Sequence, residues 1–315
     1  MFSDVIETHG LTKTFRGGVV AVKDLDFSVK HGAVYGLIGR NGSGKTTALR
    51  LLLGLLLPDR GTASVLGCEF WRAPREVRQR VAYVSQTQRL PTGASLEDLC
   101  RQLKRFYHRW DPAHAQALAK SWNLSWRRPL GGMSAGEQRQ AALLLAFASR
   151  PDVLVLDEPA AGFDPLARRA LLDQILDAVT QGDGCTVLLS THIVADLERI
   201  AEHIGMMDCG RLGLSTRLDD LLERTKRVQV IFDGDQSPPD FTVPGALRTV
   251  ASGAVVGAIV QWPNGNELEI LRASTGARVQ VFPVDLEEIF LALVGDEGRD
   301  DNSWKSSPLL HANAQ

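Results

Sequence analysis

Three short stretches place residue types suited to phosphate chemistry at informative spacings. "GRNGSGKT", Gly39 to Thr46, fits G-x-x-x-x-G-K-[ST], with a strand-like run before it and a helix-like run after it. Glycines let such a backbone curl until successive N–H groups face phosphate oxygens. The helix start behind the loop adds partial positive charge. Lys45 supplies a full charge for β- and γ-phosphates, and Thr46 a hydroxyl for Mg²⁺. The candidate phosphate-binding residues are therefore Gly39, Arg40, Asn41, Gly42, Ser43, Gly44, Lys45, Thr46 and Thr47. A glycine-rich turn with a chance lysine is the plain alternative, and the strand–loop–helix context weighs against it.

"VLVLDEP" is an apolar run ending in two acids, Asp157 and Glu158. Acids beside a buried strand end are costly unless something pairs with them. Mg²⁺ is the natural partner of Asp157, and Glu158 can face the γ-phosphate and polarise an attacking water. "LLSTH" ends at His192 and "VAYVSQ" at Gln86. A lone histidine is more often structural than catalytic. His192 ends a strand of the same sheet, so γ-phosphate contact is the better reading. The Gln86 amide can ligate Mg²⁺ or hold water and report the γ-phosphate to the helical segment downstream of it. Phe15, between the first two strand-like runs, can stack on adenine or pack in the core, and spacing alone does not choose.

"LGGMSAGEQRQ", Leu130 to Gln140, contains two overlapping candidates for a second phosphate contact. Local chemistry favours the later one. "SAGE" is a capping box, with Ser134 as N-cap and Glu137 reaching back. "QAALLLAFAS" behind it is apolar on nearly every side, so the helix is expected to be buried. Ser134 and Gly136 then present a positive helix end outward, and Gly131 and Gly132 are lead-in.

Short apolar strand-like runs ("AVYGLIG", "VAYVSQ", "VLVLDEP", "CTVLLSTH", "IGMMDCGRL") alternate with helical ones. That pattern predicts an α/β fold with a parallel core, whose ligands gather beyond the carboxyl ends of the strands. "VIETHGLTKTF" and "AVKDLDFSV" read as antiparallel strands near the edge. "SLEDLCRQLKRFYHRWD" and "PAHAQALAKSWNL" read as amphipathic helices, placing a helical subdomain at about 88–135 within a domain spanning 1–225. Most of its tryptophans suit a small core, and some aromatics suit an exposed docking patch. Residues 226–295 read as a small α+β domain, with Asp285 as an N-cap. Residues 296–315 read as a polar disordered tail.

The bulk numbers exclude more than they identify. A chain of 315 residues fits two domains. With 44% hydrophobic and 23% charged residues it is no wholesale disordered chain. A net charge of −2 gives no reason to expect a nucleic-acid partner. The four cysteines are far apart, never in CxxC, and read as reduced cytosolic thiols. No run is long and apolar enough to span a bilayer, and the N-terminus lacks a signal-peptide pattern. Any membrane path must come from another chain.

In this order, the phosphate loop, Gln86, the Ser134 region, "VLVLDEP", "AGFD" and His192 resemble the ATP-binding subunit of ABC transporters over about residues 4–225. The resemblance implies a P-loop ATPase binding ATP and Mg²⁺. It makes Phe15 the adenine-stacking aromatic, Glu158 the catalytic base and Ala161 to Asp164 a loop crossing to a second subunit. It also implies a head-to-tail dimer, expected to be a homodimer, with each ATP between one subunit's phosphate loop and the other's Ser134 and Gly136. The family's spacing from signature to proline fits Met133 and Pro151, eighteen residues apart. "RFYHRWD", "STHIVADLERIAEHIGMMDCGRL" and "VDLEEIFLALVG" resemble bacterial exporters of the drug, antibiotic and polysaccharide class. A separate integral membrane permease, and a place on the cytoplasmic face of the membrane, are then implied.

This chain departs from the family at Ala135, Glu137, Gln140, Leu145 and Phe163. None of these removes a catalytic group, and all bear on how strongly the dimer closes. The alternatives are an importer ATPase, a soluble ABC ATPase acting on DNA or ribosomes, and a non-hydrolysing adaptor. The presence of Glu158 and His192 argues against the adaptor. A single phosphate loop without CxxC or long heptads argues against the soluble class.

Overall fold

The computed structural model describes residues 4–181, 184–235, 237–238, 241–262 and 266–294. The tail expected to be disordered, 296–315, lies outside them. The chain divides into two compact units between Leu212 and Gly213. The composition shift after residue 225 falls inside the second unit, because the joining helix of "LDDLLERTK" already belongs to it.

The first unit opens with β1 (Asp4–Thr14) and β2 (Val20–Lys30), paired antiparallel. β3 (Val34–Gly39), α1 (Lys45–Leu52) and β4 (Arg60–Val65) follow. β4 returns to pair with β1, so β2-β1-β4 is a sheet of its own. The two strands expected near an edge therefore gain a third partner, whose sequence "RGTASV" is too polar to announce a strand.

After the single turn α2 (Arg75–Arg78) come β5 (Val81–Val84) and three helices, α3 (Leu96–Leu103), α4 (Pro112–Ser121) and α5 (Ala135–Ala148). Then come β6 (Val153–Asp157), α6 (Pro165–Thr180), β7 (Thr186–Thr191), α7 (Val194–Leu197) and β8 (His203–Asp208). β9 (Arg211–Arg217) carries the chain across the division. The main sheet has the order β5-β6-β7-β3-β8-β9, and β5/β6, β6/β7, β7/β3 and β3/β8 are parallel. β3, β6 and β7 are buried along their whole length, which is why each reads as an unbroken apolar run.

One core cluster holds Ile6 and Leu11 of β1, Leu25 of β2, Leu37 of β3, and Leu49 and Leu52 of α1. Each leucine so buried contributes about 1.5–3 kcal/mol. α1 is thus anchored by its far end, and its N-terminus is fixed beside the end of β3.

α3 starts at a capping box of Ser95 and Asp98, and ends sooner than its amphipathic sequence implies. The Asp111 N–H reaches the Ala148 carbonyl at 2.8 Å, and Trp110 is buried. These contacts draw residues 104–111 across the end of α5 instead of onward as helix. Asp111 then caps α4. Trp122 meets Phe147 edge-on at 6.3 Å. The exposed aromatic of this region is Phe106, at 58%.

The second unit contains α8 (Leu218–Arg224), β10 (Thr225–Ile231), β11 (Ala246–Ser252), β12 (Val255–Gln261), α9 (Glu267–Thr275), β13 (Arg278–Phe282) and α10 (Leu286–Val294). Its antiparallel sheet has the order β11-β12-β10-β13. Val228, Val230, Val256, Val260 and Val279 pack with Leu271 of α9. Asp285 caps α10, accepting the Glu288 N–H at 2.7 Å. Among the described residues, no helix is long and apolar enough to cross a membrane.

Candidate functional site

Four neighbouring strands, β5-β6-β7-β3, end on the same side with the residues singled out for chemistry. β3 runs into the phosphate loop, β5 leads to Gln86, β6 ends at Asp157, and β7 is followed by His192. The register sets Asp157 beside Ser190, and Ile38 beside Thr191. A one-residue slip would turn each of these side chains to the other face. The burial that fixes register therefore also fixes the site.

The loop surrounds a cavity of about 330 Å³, lined by Ala21, Asn41, Gly42, Ser43, Gly44, Lys45, Thr46, Thr47, Gln86 and Glu158. Gly44 has φ +103°, and a Cβ there would lie 2.2 Å from the Ala21 carbonyl oxygen. Only glycine fits. Gly42, at φ +84°, has open space where its Cβ would be, so the backbone itself forms that wall. Lys45 Nζ donates to the Gly39 and Arg40 carbonyls at 2.7 and 3.2 Å and lies 3.6 Å from Glu158 Oε1. Burial pushes the Lys45 ammonium below its ordinary pKa, and the charges of Glu158 and Asp157 oppose that shift.

The donor set suits a divalent cation. Asp157 Oδ1 accepts the Thr46 hydroxyl at 3.0 Å and the Ser190 hydroxyl at 2.6 Å. Asp157 Oδ2 is buried and has no hydrogen-bond partner. A carboxylate oxygen left bare in a buried position is expensive, and a hard cation or its water would satisfy it. The residues present therefore fit Mg²⁺, held by Thr46 and Asp157 with Gln86 facing the same cavity.

Glu158 is buried, yet its backbone lies in the left-handed region at φ +50°. That conformation is rare for a residue with a side chain, and rarer still before a proline, which steers its predecessor to extended backbone. The Glu158 N–H donates to the Ser190 carbonyl at 3.0 Å and to its hydroxyl at 3.2 Å. His192 Nδ1 sits 2.7 Å from Glu158 Oε2, and the His192 N–H lies 3.3 Å from the same oxygen. Strain of this kind, about 1–3 kcal/mol, persists where surrounding contacts over-determine it.

The structure thus gathers Gly39 to Thr47, Gln86, Asp157, Glu158 and His192. It does not bring Phe15, Ser134 or Gly136 to the same cavity. Phe15 lies in the turn between β1 and β2, 41% exposed, and does not line the cavity. Ser134 caps α5, accepting the Glu137 N–H at 3.2 Å, while Glu137 accepts the Ser134 N–H at 2.6 Å. Hydrogen bonding from Ser134, its backbone N–H first, holds the Glu137 carboxyl below its ordinary pKa. Gly136 follows in the first turn of α5.

Two residues escaped the sequence reading. Ser190 is hidden within an apolar strand, and only the pairing of β6 with β7 reveals it. Arg139 donates from Nη1 to the Glu158 carbonyl at 2.8 Å and from Nη2 to the Gln86 carbonyl at 2.7 Å. Its one sequence signal is a cation in the first turns of a helix that is otherwise apolar beyond it.

Comparison with known proteins adds to this geometry. The ABC transporter family model matches residues 22–161. The chain is 30% identical over 302 residues to the ABC transporter ATP-binding protein YtrB of Bacillus subtilis (strain 168), covering 94% of this chain and 100% of that one. It is 34% identical over 304 residues to Nod factor export ATP-binding protein I of Burkholderia lata, covering 94% and 98%. A solved structure of an ATP-binding subunit of an ABC transporter superposes with a TM-score of 0.63 at 28% identity, over 70% of this chain and 92% of that one. A dimeric ATP-binding cassette bound to ADP and Pi gives 0.61 at 22% identity, over 68% and 98%, a likeness of fold.

Proposed function

This chain belongs to the ATP-binding proteins of ABC transporters, and from that premise we propose that it hydrolyses ATP, as a dimer, to drive export through a separate membrane permease. The observation that carries the proposal is the buried Glu158 carboxylate, held by His192 and Lys45 at the wall of the phosphate-loop cavity.

Loop N–H groups and Lys45 hold the β- and γ-phosphates. Mg²⁺, held by Thr46 and Asp157 with Gln86 nearby, supplies charge neutralisation for the phosphates when bound. Glu158 orients a water and takes its proton as the water oxygen attacks the γ-phosphorus. The bond from that phosphorus to the bridging oxygen breaks, leaving ADP and phosphate. His192 keeps the Glu158 carboxylate aimed and borders the γ-phosphate. Phe15 stacks on adenine, which requires the β1–β2 turn to meet the base. Ser134 and Gly136 lie away from this cavity on a capped helix end, as expected of groups that contact ATP held by a second copy of the chain.

An apolar cleft of about 260 Å³, with Gln88 in its lining, supports docking of a permease. Tyr83, Leu90, Leu103, Tyr107 and Ala142 line it, and Phe106, the residue before Tyr107 in sequence, is exposed. Its lining residue Gln88 follows Gln86, which lines the phosphate-loop cavity, by two residues in sequence, a short chain connection through which a partner seated there would register γ-phosphate occupancy. Export is favoured because relatives matched along nearly their whole length are named for it. In this reading the chain works at the cytoplasmic face of the membrane.

Two measurements test the proposal. Glu158→Gln should abolish ATP turnover while sparing ATP binding, and undiminished turnover would remove Glu158 as base. Co-purification of the tagged chain from membranes should recover an integral membrane protein, and recovery of ribosomes or DNA instead would overturn the transport reading.

A further inference from the structure

Arg139 occupies a position that the hydrolysis scheme leaves unexplained. It stands in α5, five residues beyond Ser134, the cap of the same helix. Its guanidinium spans two backbone carbonyls, those of Glu158 and Gln86. These carbonyls follow the ends of β6 and β5, which are paired neighbours with Val84 beside Leu156. One rigid fork therefore grips the main chain of two residues proposed for the chemistry. Its own helix begins with the residues proposed to touch the partner's ATP.

The grip falls where the backbone is under strain. Glu158 is at φ +50°. The peptide before it is held by Ser190, and the carbonyl after it by Arg139. Hydrogen bonds from a charged donor are stronger than neutral ones. The planar guanidinium also fixes the separation of its two acceptors, which a lysine ammonium on a flexible stem does not. A residue serving only to fasten a helix to the sheet would need one such contact, anywhere along the strands.

We infer that Arg139 is a positioning residue coupling the two ATP sites of the dimer. When Ser134 and Gly136 close on ATP held by the second copy, α5 shifts. Arg139 carries that shift to the backbone of Glu158 and Gln86 in its own subunit's site. Hydrolysis at one site then answers to occupancy of the other. This inference rests on the dimeric ATPase reading above.

The test uses the full chain and Arg139→Lys, with Arg139→Ala as a second variant. Lysine keeps the charge and the packed stem, so the melting temperature should stay near that of the wild type. The kcat should fall about tenfold or more, as small misplacements of catalytic groups do. The KM for ATP should hardly change, and the Hill coefficient should drop toward one. Hydrogen exchange in peptides spanning 84–90 and 156–162 should quicken without added nucleotide. Unchanged exchange there, or an unchanged kcat and Hill coefficient beside an active, cooperative wild type, overturns the coupling role. So does a wild-type Hill coefficient of one, or a kcat that falls only in proportion to folded protein. A wild type with no ATP turnover overturns the ATPase reading, and the coupling falls with it.

Discussion

At the scale of the residue, the site depends on one oxygen being spoken for and the other bare. Asp157 Oδ1 takes hydroxyls from Thr46 and Ser190, and Oδ2 takes none. Ser190 also accepts from the Glu158 N–H, so a single hydroxyl orients the proposed cation ligand and supports the strained neighbour. Ser190→Ala should weaken Mg²⁺-dependent ATP binding about 10- to 100-fold, the usual cost of losing a group that orients a metal ligand. It should also destabilise the fold by about 1–3 kcal/mol, because a buried carboxylate loses a donor. Titration of nucleotide at fixed Mg²⁺, together with urea unfolding, reads both effects. Wild-type affinity would mean that Thr46 alone orients Asp157. The acids, the lysine and the loop glycines were legible in the sequence because each sits in a short motif with local meaning. Ser190 was not, since a serine inside "TVLLST" gains significance only from the strand beside it.

At the scale of the element, α5 does two things with one N-terminus. Its capping box satisfies backbone donors that would otherwise be bare, and its positive end is proposed to meet the partner's γ-phosphate. The two roles separate by substitution. Ser134→Ala should cost about 1 kcal/mol by removing the cap. Ser134→Asp should keep the cap, and hence the stability, while setting a negative charge where the phosphate is proposed to come. In a Glu158→Gln background, Ser134→Asp should fold normally and fail to dimerise on ATP, as light scattering or gel filtration would register. ATP-dependent dimers of that double variant would remove Ser134 from the interface. The sequence showed this helix well, because a capping box before an apolar run is local information. It showed β4 and β11 poorly. "RGTASV" and "ALRTVAS" lack apolar alternation, and residues Arg248 to Ser252 of β11 are exposed. Such strands exist because a neighbour offers hydrogen bonds. For the same reason α3 stops at Leu103, where contacts with the end of α5 outweigh an amphipathic pattern that continues.

At the scale of the whole molecule, burial sorts residues that composition alone treats as equivalent. All four cysteines lie in the first unit. Cys100 in α3 and Cys185 ahead of β7 are buried, and loss of hydration pushes both thiols up to about 12. A raised thiol pKa means less thiolate, so at pH 8 only about one molecule in ten thousand would carry the reactive form at either position. Cys209 is exposed and Cys68 half-buried. Alkylation of the native protein at pH 8, followed by peptide mass spectrometry, should therefore modify Cys209 first and Cys68 more slowly. Cys100 and Cys185 should react only when denaturant opens the first unit. The second unit has its own core around Val228, Val260 and Leu271 and contains none of these thiols, so one two-state transition need not describe the chain. Thiol trapping should then report the first unit alone, while the buried indole of Trp262, hydrogen-bonded to the Pro244 carbonyl at 3.0 Å, responds to the second. Prompt alkylation of Cys185 in the native protein would contradict the burial of the segment leading into β7, and with it the register that sets Ser190 beside Asp157.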